Sequence, residues 1–226
     1  MCRFFLYVEG PRDRDILRVW ARRLSPVLAR TLDSSTVILG GRRPARAVKH
    51  FRDERGNQDG ARGIVVLDRD HHTVDDARLL SDPGLELFTW SRRHIESYLL
   101  VPAAMRRLLA GRPDPGRLDR LIEDHLPAAH DEEACRAVNA KHLLGHKGPL
   151  AIGLGGELAP GEIARCMRTD ELHPDVLDLY ARIRDALGLN GPPLQVVRRR
   201  QRPDPFPQVQ QADQDDSAQQ TERNPG

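Results

Sequence analysis

The first hundred residues alternate short apolar runs with stretches in which apolar residues recur at helical spacing. Ile16 and Trp20 lie on one face of such a helix, Asp13 could cap its start, and Pro26 either kinks it or begins a second helix. A further helix is expected over residues 45–55. The runs expected to be buried strands, which are short and largely apolar, are residues 4–8, 35–39, 64–67 and 85–90.

Strands that are apolar on both faces are typical of a parallel sheet covered by helices on each side. After residue 100 the pattern becomes helical, and several of the expected helices open with proline or an acid. These helices are expected at residues 102–110, 117–125, 132–144, 160–168 and 174–187. The sequence thus predicts an α/β fold with a small, mostly parallel sheet flanked by helices and a helical C-terminal extension.

This change of pattern divides the chain into three segments. Residues 1–105 are expected to form the α/β core, and residues 106–190 a helical extension that completes the domain. From residue 191 the chain is polar, with few apolar residues after the run Arg198 to Arg200. We therefore expect residues 191–226 to be a disordered tail.

Composition excludes several classes of protein. The net charge of +2, from 35 basic and 33 acidic residues, gives no overall nucleic-acid signature, so a polyanion site would have to be a local patch. The three cysteines are far apart and form no CxxC pair, which argues against a disulfide framework or a zinc ribbon. No apolar stretch approaches the roughly 20 residues that span a bilayer. A cytoplasmic protein without a membrane anchor is expected.

Acidic residues stand at the ends of two expected strands. Glu9 follows the first, and Asp68 and Asp70 follow the third. Residues two apart in an extended chain point the same way, so both aspartates could face one hard cation such as Mg²⁺ or Mn²⁺. In open α/β sheets, ligands bind at the carboxyl ends of the strands. The alternative is an ordinary polar loop after a buried strand.

Glu96 lies in the apolar stretch WSRRHIESYLL, residues 90–100. A carboxylate buried in such surroundings needs a partner. That partner could be a metal ion, or it could be Arg92 or Arg93 in a structural ion pair.

These elements, in this order, resemble the TOPRIM domain of the OLD (overcoming lysogenization defect) family of nucleases. YVEGPRDRDIL at residues 7–17 is similar to the family's strand followed by Glu-Gly, and VVLDRD at residues 65–70 is similar to its DxD strand end. RRHIESYLL at residues 92–100 resembles its IENYL element, with Ser97 replacing asparagine. The resemblance covers residues 1–105 well and the helical part only loosely.

The resemblance implies a Mg²⁺- or Mn²⁺-dependent nuclease, with a defence or DNA-processing role against phage. Glu9, Asp68, Asp70 and Glu96 would hold one or two metal ions, with Glu9 also acting as general acid or base and Asp13 in a supporting position. OLD-type sites also use a lysine from the helical region. Of the two candidates Lys147 is favoured as the catalytic one, because its glycine-flanked setting is closer to the family's.

Nucleic-acid contacts are expected from Lys141 and from local arginines, chiefly Arg92 and Arg93, and binding of this kind is sensitive to salt. The sequence contains no Walker GxxxxGK[ST] motif, whereas OLD proteins join an ATPase to the nuclease. The chain could therefore act alone, as a homodimer, or with a separately encoded ABC-type ATPase. A non-catalytic or partner-dependent subunit of such an ATPase is the alternative function.

Other phosphoesterase families fit less well. Asp70, His71 and His72 spell the DHH signature, but the first strand does not end in the second aspartate-rich motif of that family. Haloacid dehalogenase phosphatases carry DxDx[TV] on their first strand, whereas His72 occupies the last position of that motif here and the DxD is on the third strand. A type I topoisomerase needs a nucleophilic tyrosine on further domains, for which this chain has little room.

Overall fold

The computed structural model describes residues 3–55, 60–69, 82–110 and 114–189, and the statements below concern these residues. The predicted α/β class is confirmed. Four parallel strands form one sheet flanked by helices, an arrangement consistent with a TOPRIM-like fold. The strands are β1 (Phe4–Val8), β2 (Thr36–Ile38), β3 (Arg62–Leu67) and β4 (Leu85–Thr89).

The sheet has the order β2-β1-β3-β4. Tyr7 in β1 pairs with Val37 in β2 on one side and with Val65 in β3 on the other. After β1 the chain therefore forms the edge strand β2, and it then crosses to the other side of β1 to form β3. Such a switch point leaves a crevice at the carboxyl ends of the two central strands, where open α/β sheets bind their ligands.

Three helices connect the first strands: α1 (Pro11–Leu24), α2 (Pro26–Ser35) and α3 (Pro44–Arg55). Of the two possibilities for Pro26, the structure has a second helix. Proline suits the first position of a helix, and the Ser25 side chain accepts the Leu28 N–H at 3.5 Å as an N-cap.

The residues after β4 are helical, as predicted. Ile95–Leu99 is a short 3₁₀ helix, and the α-helices that follow are α4 (Pro102–Leu108), α5 (Pro115–His125), α6 (Glu132–Ala137), α7 (Ala140–Leu144), α8 (Pro149–Leu154), α9 (Pro160–Cys166) and α10 (Pro174–Ala186). The single helix expected at residues 132–144 is wrong. Asn139 divides it, because its side chain accepts the His142 N–H at 3.1 Å and starts α7. The helix α8 was not predicted.

Alternate residues of the strands face two separate apolar clusters. Tyr7 and Val65 pack with Phe51 of α3 on one face of the sheet. Leu6 and Ile64 pack on the other face with α1, α2 and helices from the C-terminal half, including Val176 of α10. The expected extension therefore shares one apolar core with the sheet. The expected tail at residues 191–226 lies outside the described residues. No helix in the described part of the chain has the length and apolar character needed to cross a bilayer.

Candidate functional site

Three polar side chains converge at the carboxyl edge of the sheet. Glu9 directly follows β1, Asp68 directly follows β3, and Arg42 follows β2 by a short turn. Gly40 and Gly41 form that turn with φ values of 73° and 108°, which favour glycine strongly. The turn brings Arg42 back over the edge, where its Nη1 donates to the Asp68 carbonyl oxygen at 2.7 Å.

Glu9 and Asp68 are joined directly across the switch point. The backbone N–H of Asp68 donates to Glu9 Oε1 at 2.9 Å, and Arg42 Nη1 lies 3.9 Å from the same oxygen. Burial raises the pKa of Glu9 above its usual range and the negative charge of Asp68 adds to this, while the hydrogen bond from Asp68 and the charges of Lys141 and Arg42 act in the opposite direction. A carboxyl group with a raised pKa is suited to proton transfer near neutral pH.

The Asp68 carboxylate is almost buried, with 8% of its side chain exposed. Its Oδ1 accepts the backbone N–H of Ile95 at 3.1 Å, which ties the end of β3 to the 3₁₀ helix. Its Oδ2 accepts a hydrogen bond from Lys141 Nζ at 2.5 Å. The two oxygens of Asp68 thus hold together the sheet edge, the 3₁₀ helix and α7.

Glu96 lies on that 3₁₀ helix and is buried, with a side-chain exposure of 1%. Its Oε1 is 3.5 Å from Arg12 Nη1, a long ion pair to a guanidinium that is half exposed. Its Oε2 is buried and has no hydrogen-bond partner among the described residues. The expected partners Arg92 and Arg93 make no ion pair with it. A buried carboxylate oxygen without a partner is costly, and such groups are frequent at functional sites.

Asp13 lies in the first turn of α1 and belongs to the same cluster of charges. Its Oδ2 accepts the Gly10 N–H at 2.8 Å from the third position of the helix, whereas the sequence predicted Asp13 as the cap; Gly10 is the N-cap and α1 begins earlier, at Pro11. Burial raises the pKa of Asp13 to about 7, and the negative charges of Asp68 and Glu96 contribute to the rise. The carboxylates of the site are therefore close enough to repel one another.

The structure distinguishes the two candidate lysines. Lys141 on α7 contacts Asp68, and its pKa is raised, because the hydrogen bond to Asp68 and the negative charges of Asp68, Glu96 and Asp13 outweigh the opposing effect of burial. Lys147, favoured from the sequence, lies in the exposed turn between α7 and α8. It makes no ion pair with the carboxylates of the described site. The glycines around Lys147 serve the turn itself, as the close backbone contacts of Gly148 indicate.

Arg92 has a structural role near the site. Its guanidinium donates to both carboxylate oxygens of Glu132 on α6, at 3.2 and 2.7 Å, and to the Ser97 carbonyl oxygen at 3.2 Å. It also stacks over the Tyr98 ring. The neighbouring Arg93 is partly buried, and its carbonyl oxygen accepts the Arg69 N–H at 3.0 Å. Nucleic-acid contact by Arg92, expected from the sequence, would have to compete with Glu132.

Several predicted residues lie outside the described part of the chain: Asp70, His71, His72 and Arg198 to Arg200. Within the described part, no three carboxylate, histidine or cysteine side chains are grouped so that they could hold a metal ion as they stand. The chemistry of the donors nevertheless fits a hard cation, because Glu9, Asp68 and Glu96 offer carboxylate oxygens and Glu96 Oε2 has no partner in the described part of the chain. The cationic groups now beside Asp68 and Glu96 are Lys141 and Arg12.

Two contacts were not predicted from the sequence. Arg12 was not singled out, although its position in the first turn of α1 after Glu-Gly-Pro places it beside Glu9 along the chain. The contact of Lys141 with Asp68 spans 73 residues, and no local pattern signals it. Only the resemblance to the OLD family indicated that a lysine of the helical region would reach the site.

Comparisons with known proteins give one structural similarity. The chain is similar to a solved structure of the C-terminal region of the OLD protein from Xanthomonas campestris pv. campestris, with 16% identity and a TM-score of 0.46. The match covers 83% of this chain and 95% of that one. No family model matches the sequence, and no curated protein matches it. At this identity and TM-score the similarity carries no conclusion about function.

Proposed function

We propose that the protein is a Mg²⁺- or Mn²⁺-dependent nuclease that hydrolyses phosphodiester bonds of DNA or RNA. The observation that carries the proposal is that Asp68, at the switch point of the sheet, contacts both the Glu9 carboxylate and the 3₁₀ helix that bears the buried Glu96. Asp68 contacts the Glu9 carboxylate through its N–H and the helix of Glu96 through its Oδ1. The resemblance of the three motifs to the OLD-type TOPRIM domain supports the same reaction.

In this proposal Glu9, Asp68 and Glu96 hold the metal ion, together with Asp70. A divalent cation would supply Lewis-acid charge that activates a water molecule and stabilises the leaving oxygen. Where Glu9 does not itself bind the ion, it acts as general acid or base for the attacking water or the leaving group, from its position beside Asp68. Arg12, half exposed above Glu96, is placed to contact a phosphate of the bound strand.

The test is cleavage of supercoiled plasmid and of single-stranded RNA by the purified protein with Mg²⁺, Mn²⁺ or EDTA. Cleavage should require a metal, and Asp68→Asn and Glu96→Gln should each reduce it about a hundredfold or more, since each removes a metal ligand. Asp119→Asn is the matched control, because Asp119 on α5 is a half-exposed carboxylate that pairs with Arg106, away from the carboxylates of the site. Its cleavage rate should equal that of the wild type.

If the protein cleaves neither plasmid nor RNA with either Mg²⁺ or Mn²⁺, the proposal is wrong. It would favour the alternative of a non-catalytic or partner-dependent subunit of a separately encoded ATPase. Metal-dependent cleavage that survives Asp68→Asn would show that the activity belongs to another site or to a contaminant.

A further inference from the structure

A cation of the protein itself is paired with Asp68, one of the proposed metal ligands. Lys141 Nζ lies 2.5 Å from Asp68 Oδ2, and a Mg²⁺ ion binds carboxylate oxygens at about 2.0–2.1 Å. An ion on this oxygen and the ammonium group would lie within a few ångströms of each other, beside a carboxylate of which only 8% is exposed. Two positive charges at such a separation repel strongly.

The two carboxylate oxygens of Asp68 have partners of different mobility. Oδ1 is held by the Ile95 N–H, which is fixed backbone of the 3₁₀ helix. Oδ2 is held by Lys141, whose ammonium sits at the end of a flexible four-carbon chain with 41% of the side chain exposed. The ammonium can therefore leave into water by rotation of its own side chain, without movement of the sheet or of the 3₁₀ helix.

We propose that Lys141 is an internal cation that competes with the metal ion for Asp68, so that metal binding releases the ammonium from this carboxylate. The inference rests on the proposed metal-dependent nuclease and adds a regulation of its site. It accounts for two features at once. Lys141 balances the charge of Asp68 without a bound ion, and release gives Lys141 a free ammonium beside the metal, where it can meet a phosphate oxygen.

The first test follows Lys141 directly in the wild-type chain. The protein has only three lysines, Lys49, Lys141 and Lys147, so reductive ¹³C-methylation gives three lysine NMR signals besides that of the amino terminus. Lys49 on α3 and Lys147 are both exposed and serve as internal controls. In EDTA the Lys141 signal should differ from these two, and titration with Mg²⁺ should move it toward them with the midpoint of metal binding.

The second test measures metal affinity by Mn²⁺ electron paramagnetic resonance and by calorimetry, neither of which requires catalysis. Removal of the competitor in Lys141→Gln should tighten binding about tenfold or more, because the binding-competent state no longer has to be selected from a minor population. Lys141→Arg keeps the charge and should stay near the wild-type affinity. Lys147→Gln is the matched control and should not change it.

The results separate this inference from the proposed function. If the wild type binds metal while the Lys141 signal stays unchanged and Lys141→Gln binds no more tightly, the competition is wrong and the nuclease proposal stands. If neither the wild type nor Lys141→Gln binds metal, both proposals are wrong. The NMR titration uses the wild-type protein, so it tests the release of Lys141 even if Lys141→Gln fails to fold.

Discussion

The hydroxyl group of Tyr98 donates a hydrogen bond of 2.5 Å to Oδ2 of Asp175. This bond joins the 3₁₀ helix that carries Glu96 to the first turn of α10, with 77 positions between the two residues in the chain. Ser91 reinforces it, since both its backbone N–H and its hydroxyl donate to the same Asp175 oxygen. The C-terminal helices therefore fix the position of a site residue in addition to completing the core.

Tyr98→Phe should loosen this connection without changing the shape of the core. Tyr98 is buried, and removal of its hydroxyl leaves Asp175 with fewer donors, so the free energy of unfolding should fall by about 1–2 kcal/mol. Urea denaturation measures this loss. Cleavage should also fall, because the 3₁₀ helix positions Glu96 and the Ile95 N–H.

The control is Tyr180→Phe, which removes a buried hydroxyl bonded to the Leu17 carbonyl oxygen. A similar stability loss with normal cleavage is expected there, and equal cleavage by both variants would contradict the positioning role.

Asp13 should make stability depend on pH in the neutral range. Its pKa is raised in the folded protein to about 7, so the folded state binds a proton more tightly than the unfolded state. The stability associated with this proton is fully present below the unfolded pKa and is lost as pH rises through about 7. Asp13→Asn removes this effect while keeping a side-chain oxygen for the Gly10 N–H.

The measurement is urea denaturation in EDTA at pH 5 and pH 8. The difference in the free energy of unfolding between Asp13→Asn and the wild type should be about 2–3 kcal/mol more favourable to the variant at pH 8 than at pH 5. This follows because each unit of pKa shift corresponds to about 1.4 kcal/mol. Asp33→Asn, at an exposed carboxylate on α2, should show no such gain. Parallel curves for the wild type and Asp13→Asn would contradict the raised pKa of Asp13.

Glu96→Gln should stabilise the fold while abolishing cleavage. The wild-type carboxylate is buried, one of its oxygens has no partner among the described residues, and its charge acts on Asp13, so a neutral amide removes repulsion and a desolvated charge. In EDTA the free energy of unfolding should rise by about 1 kcal/mol or more, as often occurs when a functional residue is replaced. The variant should also lower the pKa of Asp13.

Glu86→Gln is the control for Glu96→Gln. Glu86 is an exposed carboxylate on β4 that pairs with Arg182, and its replacement should leave stability nearly unchanged or slightly lower it. A loss of stability in Glu96→Gln would mean that the Arg12 ion pair and the charge of Lys141 outweigh the cost of burying Glu96.

The local pattern of apolar residues was sufficient to predict the strands of the sheet. β1 ends at Val8 as predicted, because its residues are apolar throughout and Glu9-Gly10-Pro11 stops the run. The placement of Glu9 and Asp68 at one edge followed from parallel pairing alone, and the structure joins them. The helices after residue 130 were harder to predict, since the two-residue interruption at Val138 and Asn139 depends on the capping side chain of Asn139.

Contacts between distant parts of the chain could not be predicted in this way. The choice between Lys141 and Lys147 depended on neighbouring glycines, whereas the approach of Lys141 to Asp68 depends on how α7 packs against the 3₁₀ helix. Arg92 illustrates the same limit. Its bidentate pair with Glu132 joins residues 40 positions apart, and no pattern within the Arg92 segment indicates it.

Gly148 should be essential for the position of Lys141. A β-carbon at Gly148 would lie 2.0 Å from the His142 carbonyl oxygen and 2.6 Å from that of Leu143, both in the last turn of α7. These contacts are with backbone, so Gly148→Ala must displace α7 relative to α8 and should destabilise the fold by about 3 kcal/mol or more. Because Lys141 lies on α7, its ¹³C-methyl signal in EDTA should also move toward those of the exposed lysines.

Gly161→Ala is the control, since a β-carbon there meets nothing within 4 Å and alanine favours the helix. It should be neutral or slightly stabilising. Equal stability of the two alanine variants would show that α7 and α8 are not packed as closely as these contacts require.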